Sequence, residues 1–141
     1  MRLIIIFSIM TLIFSGCHNN DAKDDAYNEY IIRQKVAEEK IDDVNELIRS
    51  YPNDPVVYYL RGDLYAEIDD NESSLKDFNK AIALDPNFAA AYYKRSYCYE
   101  NDFSKAKSGL DKAKSLGYPV EDGDYQFLEN WNQGLVSTSN K

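Results

Sequence analysis

The sequence repeats itself with a period of 34 residues between positions 52 and 99. The recurring pairs are Pro52 and Pro86, Asn53 and Asn87, Tyr58-Tyr59 and Tyr92-Tyr93, Arg61 and Arg95, and Tyr65 and Tyr99. A period of this length is typical of structural units that bury their apolar faces by stacking on one another. Apolar residues within the period follow helical spacing and show no strand alternation. The period therefore predicts a stack of helical repeats.

The order of large and small residues within the period resembles the tetratricopeptide repeat. The first complete repeat supplies the characteristic residues Tyr58, Gly62, Tyr65, Ser74, Phe78, Ala81 and Pro86. The next repeat supplies Tyr92, Ser96, Tyr99, Ala106, Leu110 and Ala113, and its two helices are joined by a turn two residues shorter. The resemblance implies an all-α fold: a short right-handed helical solenoid of helix-turn-helix repeats with a C-terminal capping helix.

The helical domain is predicted to cover residues 25–134. Its parts are repeats over about 25–54, 55–88 and 89–118, and a capping helix over 122–133, followed by a flexible tail over 135–141. The N-terminal repeat is inferred from Val44, Leu47 and Ile48, which stand 34 positions before Phe78, Ala81 and Ile82. Its first helix is expected around Ala22 to Glu38.

The first sixteen residues have the pattern of a signal peptide. Arg2 precedes an apolar run from Leu3 to Phe14, which is shorter than the roughly twenty residues that a spanning helix needs. The segment Phe14-Ser15-Gly16-Cys17 follows and resembles the bacterial lipobox. The resemblance implies cleavage after residue 16, lipid on Cys17 and a polar tether over 17–24. A plain secretory signal or a retained membrane anchor is the alternative.

Lipid on Cys17 would hold the chain on a membrane of the cell envelope, since each buried methylene contributes about 0.8 kcal/mol. In the enterobacterial sorting pattern, Asp after the lipidated cysteine favours the inner membrane, whereas this chain has His18. In a host with two membranes, the resemblance therefore implies the outer membrane and its periplasmic face.

The tetratricopeptide resemblance also implies a partner-binding groove, lined by the first helix of each repeat. The positions that correspond to the groove are Val56, Tyr59, Asp63, Ala66, Ala90, Tyr93, Tyr97 and Glu100. For the three tyrosines, contact with a partner and ordinary packing between repeats are both open. The family's carboxylate clamp uses basic residues and asparagine at such positions, so binding of chaperone tails is not carried over to this chain.

Little in the sequence favours catalysis. The only histidine is His18, outside the helical domain, and neither a glycine-rich phosphate loop nor a metal-spaced cluster is present. We therefore expect no catalytic residue, no metal and no cofactor. Cys98, alone in the mature chain once Cys17 is lipidated, is interpreted as a core residue. The net charge of −8 argues against nucleic acid, whose phosphates need a basic face.

These features predict a non-catalytic protein-interaction module, anchored by lipid and acting as a scaffold or assembly factor in the cell envelope. The alternative function is that of an inhibitor or immunity-type lipoprotein that blocks one toxin or enzyme. An acidic chain with an aromatic groove favours a protein or peptide partner with a basic or apolar segment. The oligomeric state, including a dimer formed through the groove, is left open.

Overall fold

Six α-helices follow one another in the computed structural model, which describes residues 22–99 and 102–134, with side chains from Tyr30 onward. The helices are α1 (Ala22–Ser50), α2 (Pro55–Glu67), α3 (Asn71–Leu84), α4 (Ala89–Tyr97), α5 (Phe103–Ser115) and α6 (Asp122–Asn132). No strand occurs among these residues, so the predicted all-α class is confirmed. The proposed signal, Cys17, Glu100 and the tail over 135–141 lie outside the described residues.

The chain divides into two compact units, residues 1–32 and 33–141. The described residues of the first unit belong to α1. The rest of α1 and the helices α2 to α6 belong to the second unit, which contains the interactions discussed below. Within the described part of the chain, no helix is both long and apolar enough to cross a membrane.

The helix α1 differs from the predicted N-terminal repeat. The sequence predicts a helix-turn-helix pair over about 25–54, but α1 runs without a break from Ala22 to Ser50. Its 29 residues contain neither glycine nor proline, the residues that most readily end a helix. The predicted tether over 17–24 is affected as well, because its last three residues are already helical.

Aspartates fix the starts of three helices. Asp54, Asp70 and Asp102 each accept a hydrogen bond from a backbone N–H in the first turn of the helix that follows, at 2.8–3.1 Å. Such caps satisfy backbone donors that have no partner within the helix. Pro55 follows the first of these caps, at the helix position where its missing N–H costs nothing. These caps set the boundaries of α2, α3 and α5.

The helices α2 and α3 approach closely at Gly62. A Cβ atom at Gly62 would lie 3.0 Å from the ring of Phe78 and 3.3 Å from Cβ of Asp77. Ser74 Oγ donates a hydrogen bond to the carbonyl oxygen of Gly62 at 2.8 Å. Phe78 and Ala81 are fully buried at this crossing. The contact therefore favours a residue without a side chain at this point of α2.

The helices α4 and α5 approach closely in the same way, but the glycine is on the other helix. Gly109 of α5 faces Ser96 of α4, and a Cβ at Gly109 would lie 2.3 Å from Ser96 Oγ. Ala106, Leu110 and Ala113 are fully buried around the crossing. One helix of each pair thus has a glycine at the crossing, which allows the two backbones to approach closely.

An arginine of α2 ties three helices together. Arg61 donates to both carboxylate oxygens of Asp77 on α3, at 2.6 and 2.7 Å, and to Asn45 Oδ1 on α1 at 2.7 Å. The hydrogen bonds to Asp77 raise the pKa of Arg61. Because the Asp77 side chain is only 4% exposed, losing either partner would leave a buried charge uncompensated.

The next repeat keeps only half of this arrangement. Arg95 donates to Asn79 Oδ1 at 2.7 Å, as Arg61 does to Asn45. Gly109 takes the place of Asp77, so no carboxylate reaches the second guanidinium, and Arg95 Nε is buried without a hydrogen-bond partner among the described residues. The rings of Tyr92 and Tyr99 lie 5.2 and 5.9 Å from the guanidinium carbon, within the range of a cation–π interaction.

We expect Gly109→Ala to lower the free energy of unfolding by about 1 kcal/mol net, because overpacking costs roughly 1–3 kcal/mol and alanine gains about 1 kcal/mol in helix propensity. In a Ser96→Gly background, the same substitution should be neutral or stabilising, since the obstructing hydroxyl is gone. Urea denaturation followed by circular dichroism measures all four corners of this cycle.

Gly123→Ala is the matched control, because Gly123 also lies in a helix but a Cβ there would meet no atom within 4 Å. It should not destabilise the protein. Equal effects of Gly109→Ala in the two backgrounds would contradict the close approach.

Candidate functional site

The first helices of successive repeats, α2 and α4, form one layer with α6. Side chains connect α2 to α4 through the ion pair of Asp63 and Lys94, and α4 to α6 through hydrogen bonds from Tyr93 and Tyr97 to Asp124. The groove positions predicted from the sequence lie on α2 and α4, except for Glu100, which lies outside the described residues. This layer is the candidate functional site.

Tyr59 is used for packing between repeats. Its ring centroid lies 5.8 Å from that of Phe78 and 5.1 Å from that of Phe88, both in tilted arrangements. Burial, and next the nearby carboxylate of Asp63, raise the pKa of the Tyr59 hydroxyl. Tyr59 is therefore a partly buried link between α2 and the start of α4.

The carboxylate at the centre of α2 is already paired. Asp63 Oδ1 lies 2.6 Å from Lys94 Nζ, and both side chains are about one-third exposed. Burial acts to lower the pKa of Lys94, but the hydrogen bond and charge of Asp63 outweigh it, so that pKa is raised. A basic partner would therefore have to compete with Lys94 for this carboxylate.

Tyr93 and Tyr97 are held by the closing helix. Both hydroxyls donate to the same oxygen, Oδ1 of Asp124 on α6, with the Tyr93 bond at 3.0 Å. The Tyr93 ring also packs against Tyr118, with centroids 4.6 Å apart. The Tyr97 ring lies 5.9 Å from Phe127 of α6. The third repeat's groove positions are thus partly occupied by the chain itself.

The electrostatics of this cluster follow from its geometry. Burial and the hydrogen bonds to Asp124 raise the pKa of Tyr97, and burial does the same for Tyr93. Burial acts to raise the pKa of Asp124, but hydrogen bonds from Tyr97, from the Glu121 backbone and from Tyr93 hold it below its usual value. The cluster therefore consists of neutral phenols around an ionised carboxylate.

Apolar surface remains exposed along the same layer. Val56 and Leu60 on α2 are 46% and 42% exposed, and Tyr97 and Phe127 are 37% and 44% exposed. Ala66 and Ala90 are half-buried and add little to it. Val56, Leu60, Tyr97 and Phe127 are called the exposed stripe below. With the polar groups beside it paired internally, this stripe is what the layer offers to a partner.

Sequence reasoning missed Leu60, Asp124 and Phe127. Leu60 follows the predicted groove residue Tyr59 and lies one helical turn beyond Val56, so its spacing could have indicated it. Asp124 is not among the predicted groove positions, yet its carboxylate accepts hydrogen bonds from Glu121 N and from two tyrosines. No local signal in the sequence links Asp124 to tyrosines about thirty positions away.

The comparisons with known proteins agree with this geometry. A family profile described as "TPR repeat" matches residues 62–102. Among 26 matching chains of solved structures is the first TPR of Spaghetti (RPAP3) bound to the HSP90 peptide SRMEEVD, with a TM-score of 0.63 and 23% identity over 80% of this chain and 90% of that one. No curated protein matches the chain. The fold is therefore a tetratricopeptide-like helical solenoid.

We expect Tyr93→Phe/Tyr97→Phe to cost about 1 kcal/mol of stability at pH 7, because two hydrogen bonds to a carboxylate are lost at a partly exposed site. The lowered pKa of folded Asp124 stabilises the fold above its unfolded-state pKa of about 3.9, and this is lost as the pH falls through the folded-state pKa. The difference between wild type and variant should therefore shrink below about pH 4. Urea titrations at several pH values measure it.

Tyr51→Phe is the control, since Tyr51 is 59% exposed. It should behave like wild type throughout. A stability difference that persists unchanged into strong acid would show that Asp124 is not the acceptor that matters.

Proposed function

We propose that this chain is a lipid-anchored bacterial lipoprotein of the cell envelope, acting there as a non-catalytic protein-interaction module and serving as a scaffold or assembly factor. The part of the proposal that concerns protein interaction rests on the exposed stripe of Val56, Leu60, Tyr97 and Phe127. It lies on the layer that binds peptides in tetratricopeptide domains, and the similar solved structure is itself a TPR bound to a peptide. An apolar segment of a partner would bury this surface at about 25 cal/mol per Å².

The polar surroundings favour a partner that is not acidic. The net charge is −8, and Lys94 on the layer is already paired with Asp63 at 2.6 Å. An acidic segment would meet the net negative field, and Lys94 is already held by the carboxylate of Asp63 on α2. The partner is therefore a protein segment with apolar side chains and basic flanks.

The membrane part of the proposal rests on the lipobox-like segment that ends at Cys17. Lipid chains on one cysteine would hold the protein firmly, because binding strength accumulates with each buried methylene. In a host with two membranes, His18 after the cysteine favours the outer membrane. The helical domain would then face the periplasm, within reach of envelope proteins.

We expect Cys17→Ser to abolish metabolic labelling with a fatty-acid analogue. The protein should then either leave the membrane fraction for the soluble fraction or accumulate as the uncleaved precursor. Cys98→Ser is the matched control, and it should keep both the label and the membrane association. Lipid label that survives Cys17→Ser would contradict anchoring at this residue.

We expect Val56→Lys/Phe127→Lys to lose partners that wild type captures by crosslinking in native membranes. The two substitutions place charge on the exposed stripe while leaving the internal contacts of Tyr59, Tyr93 and Asp63 in place. Ser104→Lys/Ser108→Lys, on the exposed face of α5, is the control that adds the same charge elsewhere. Capture of the same proteins by all three chains would exclude the stripe as the binding surface.

A further inference from the structure

A cleft of about 270 Å³ lies between α1 and α2. Lys40, Asp43 and Val44 of α1 line one side of it, and Leu60, Asp63 and Leu64 of α2 line the other. All six residues belong to the compact unit of residues 33–141. These residues define the α1–α2 cleft.

The residues 34 positions after these six are Ser74, Asp77, Phe78, Lys94, Tyr97 and Cys98. The first four of them contact the helix α2. Ser74 Oγ donates to the Gly62 carbonyl at 2.8 Å, and Lys94 Nζ lies 2.6 Å from Asp63. Asp77 and Phe78 also meet α2, at Arg61 and Gly62. The α1–α2 cleft is therefore the place that the first helix of a preceding repeat would take.

No helix of the described residues takes this place. Residues 33–39 belong to the same continuous helix as Lys40, so they do not fold back as an antiparallel first helix. Leu47 stands where Ala81 is fully buried one repeat later, yet Leu47 is 42% exposed. Val36, one turn before the cleft, is 45% exposed. The second-helix face of a repeat is thus present without its first helix.

We propose that a basic amphipathic helix of a partner protein docks in the α1–α2 cleft and completes the N-terminal repeat. This deepens the proposed function and rests on it. The repeat geometry specifies that the partner segment is a helix, and the charge of α1 beside the cleft specifies that this helix is basic. Between positions 38 and 43, α1 carries Glu38, Glu39, Asp42 and Asp43 against Lys40, whereas Glu46 is paired with Arg49. The same charges would repel the α1 helix of a second copy.

The repeat relation also specifies three consecutive residues of the docking helix. Asp43 corresponds to Asp77, which binds Arg61 through both oxygens, so the first residue is basic. The second corresponds to Gly62 and must be small, because α2 approaches α3 closely there. The third residue corresponds to Asp63, whose side chain is paired with Lys94. At the cleft, Leu60 stands in the position of Lys94, so the third residue of the docking helix is apolar. The order is basic, small, apolar.

The chain contains this order in Arg95-Ser96-Tyr97 of α4, which provides a probe. The probe is a labelled synthetic peptide of residues 87–97 with both ends blocked, so that Lys94 and Arg95 are its only charges. It is titrated by fluorescence anisotropy into the full chain held in detergent. We expect saturable binding to wild type, weakened about tenfold or more when the peptide carries Arg95→Glu.

Variants of the full chain test the pairing with Asp43. Asp43→Lys should weaken binding of the original peptide about tenfold and should restore binding of the Arg95→Glu peptide. Asp42→Lys is the matched control, because Asp42 is an exposed acidic neighbour that does not line the cleft. It should bind both peptides as wild type does.

Absence of saturable binding would overturn the inference, as would equal binding of the two peptides or equal effects of Asp42→Lys and Asp43→Lys. Binding that appears only after removal of residues 1–16 would assign the cleft to the chain's own apolar segment and would also overturn it. None of these results bears on partner capture by the exposed stripe, which is tested with the variants at Val56 and Phe127. The two proposals can therefore fail separately.

Discussion

The close crossing of two helices within each repeat is the constraint on which the rest of the structure depends. At each crossing one helix carries a glycine, and the two repeats place it on opposite helices, at Gly62 of α2 and Gly109 of α5. This exchange has an electrostatic consequence. Where α3 keeps Asp77, Arg61 has a bidentate partner. Where α5 has glycine, Arg95 must rely on one asparagine and two aromatic rings.

The sequence could predict the two central repeats because their signature residues act through contacts that recur every 34 positions. It could not predict the single long helix α1. Val44 and Ile48 match the second helix of a repeat, but a separate first helix would need a helix-ending residue before them, and α1 has none. The groove positions followed from the repeat register. Their contact with Asp124 did not, because it depends on how α6 packs against α4 and α5, and the turn that joins α4 to α5 is two residues shorter.

The twelve tyrosines show why composition alone is a poor guide to a binding surface. Arg61 lies 6.0 Å from the ring centroids of Tyr58 and Tyr65, so these rings pack around a cation between repeats. The Tyr93 hydroxyl already donates a hydrogen bond to Asp124. A ring that is already stacked and hydrogen-bonded adds little new contact area for a partner. The surface that this layer leaves for the proposed partner is therefore made of the exposed aliphatic and aromatic edges, rather than of a row of phenols.

The two ends of the solenoid are treated differently, and the difference connects fold to function. A stack of repeats must cover its last apolar face at each end. At the C-terminal end, α6 does so: Leu128 is buried, and the polar side chain of Asp124 satisfies the hydroxyls beneath it. At the other end, within the described residues, Val36 and Leu47 of α1 are exposed, and the residues between them include five carboxylates and one lysine. An uncovered apolar face invites self-association, and like charges oppose it without covering the face. In the proposed docking, acidic residues around the open helix position would oppose pairing with a second copy of the chain and would attract a helix of opposite charge.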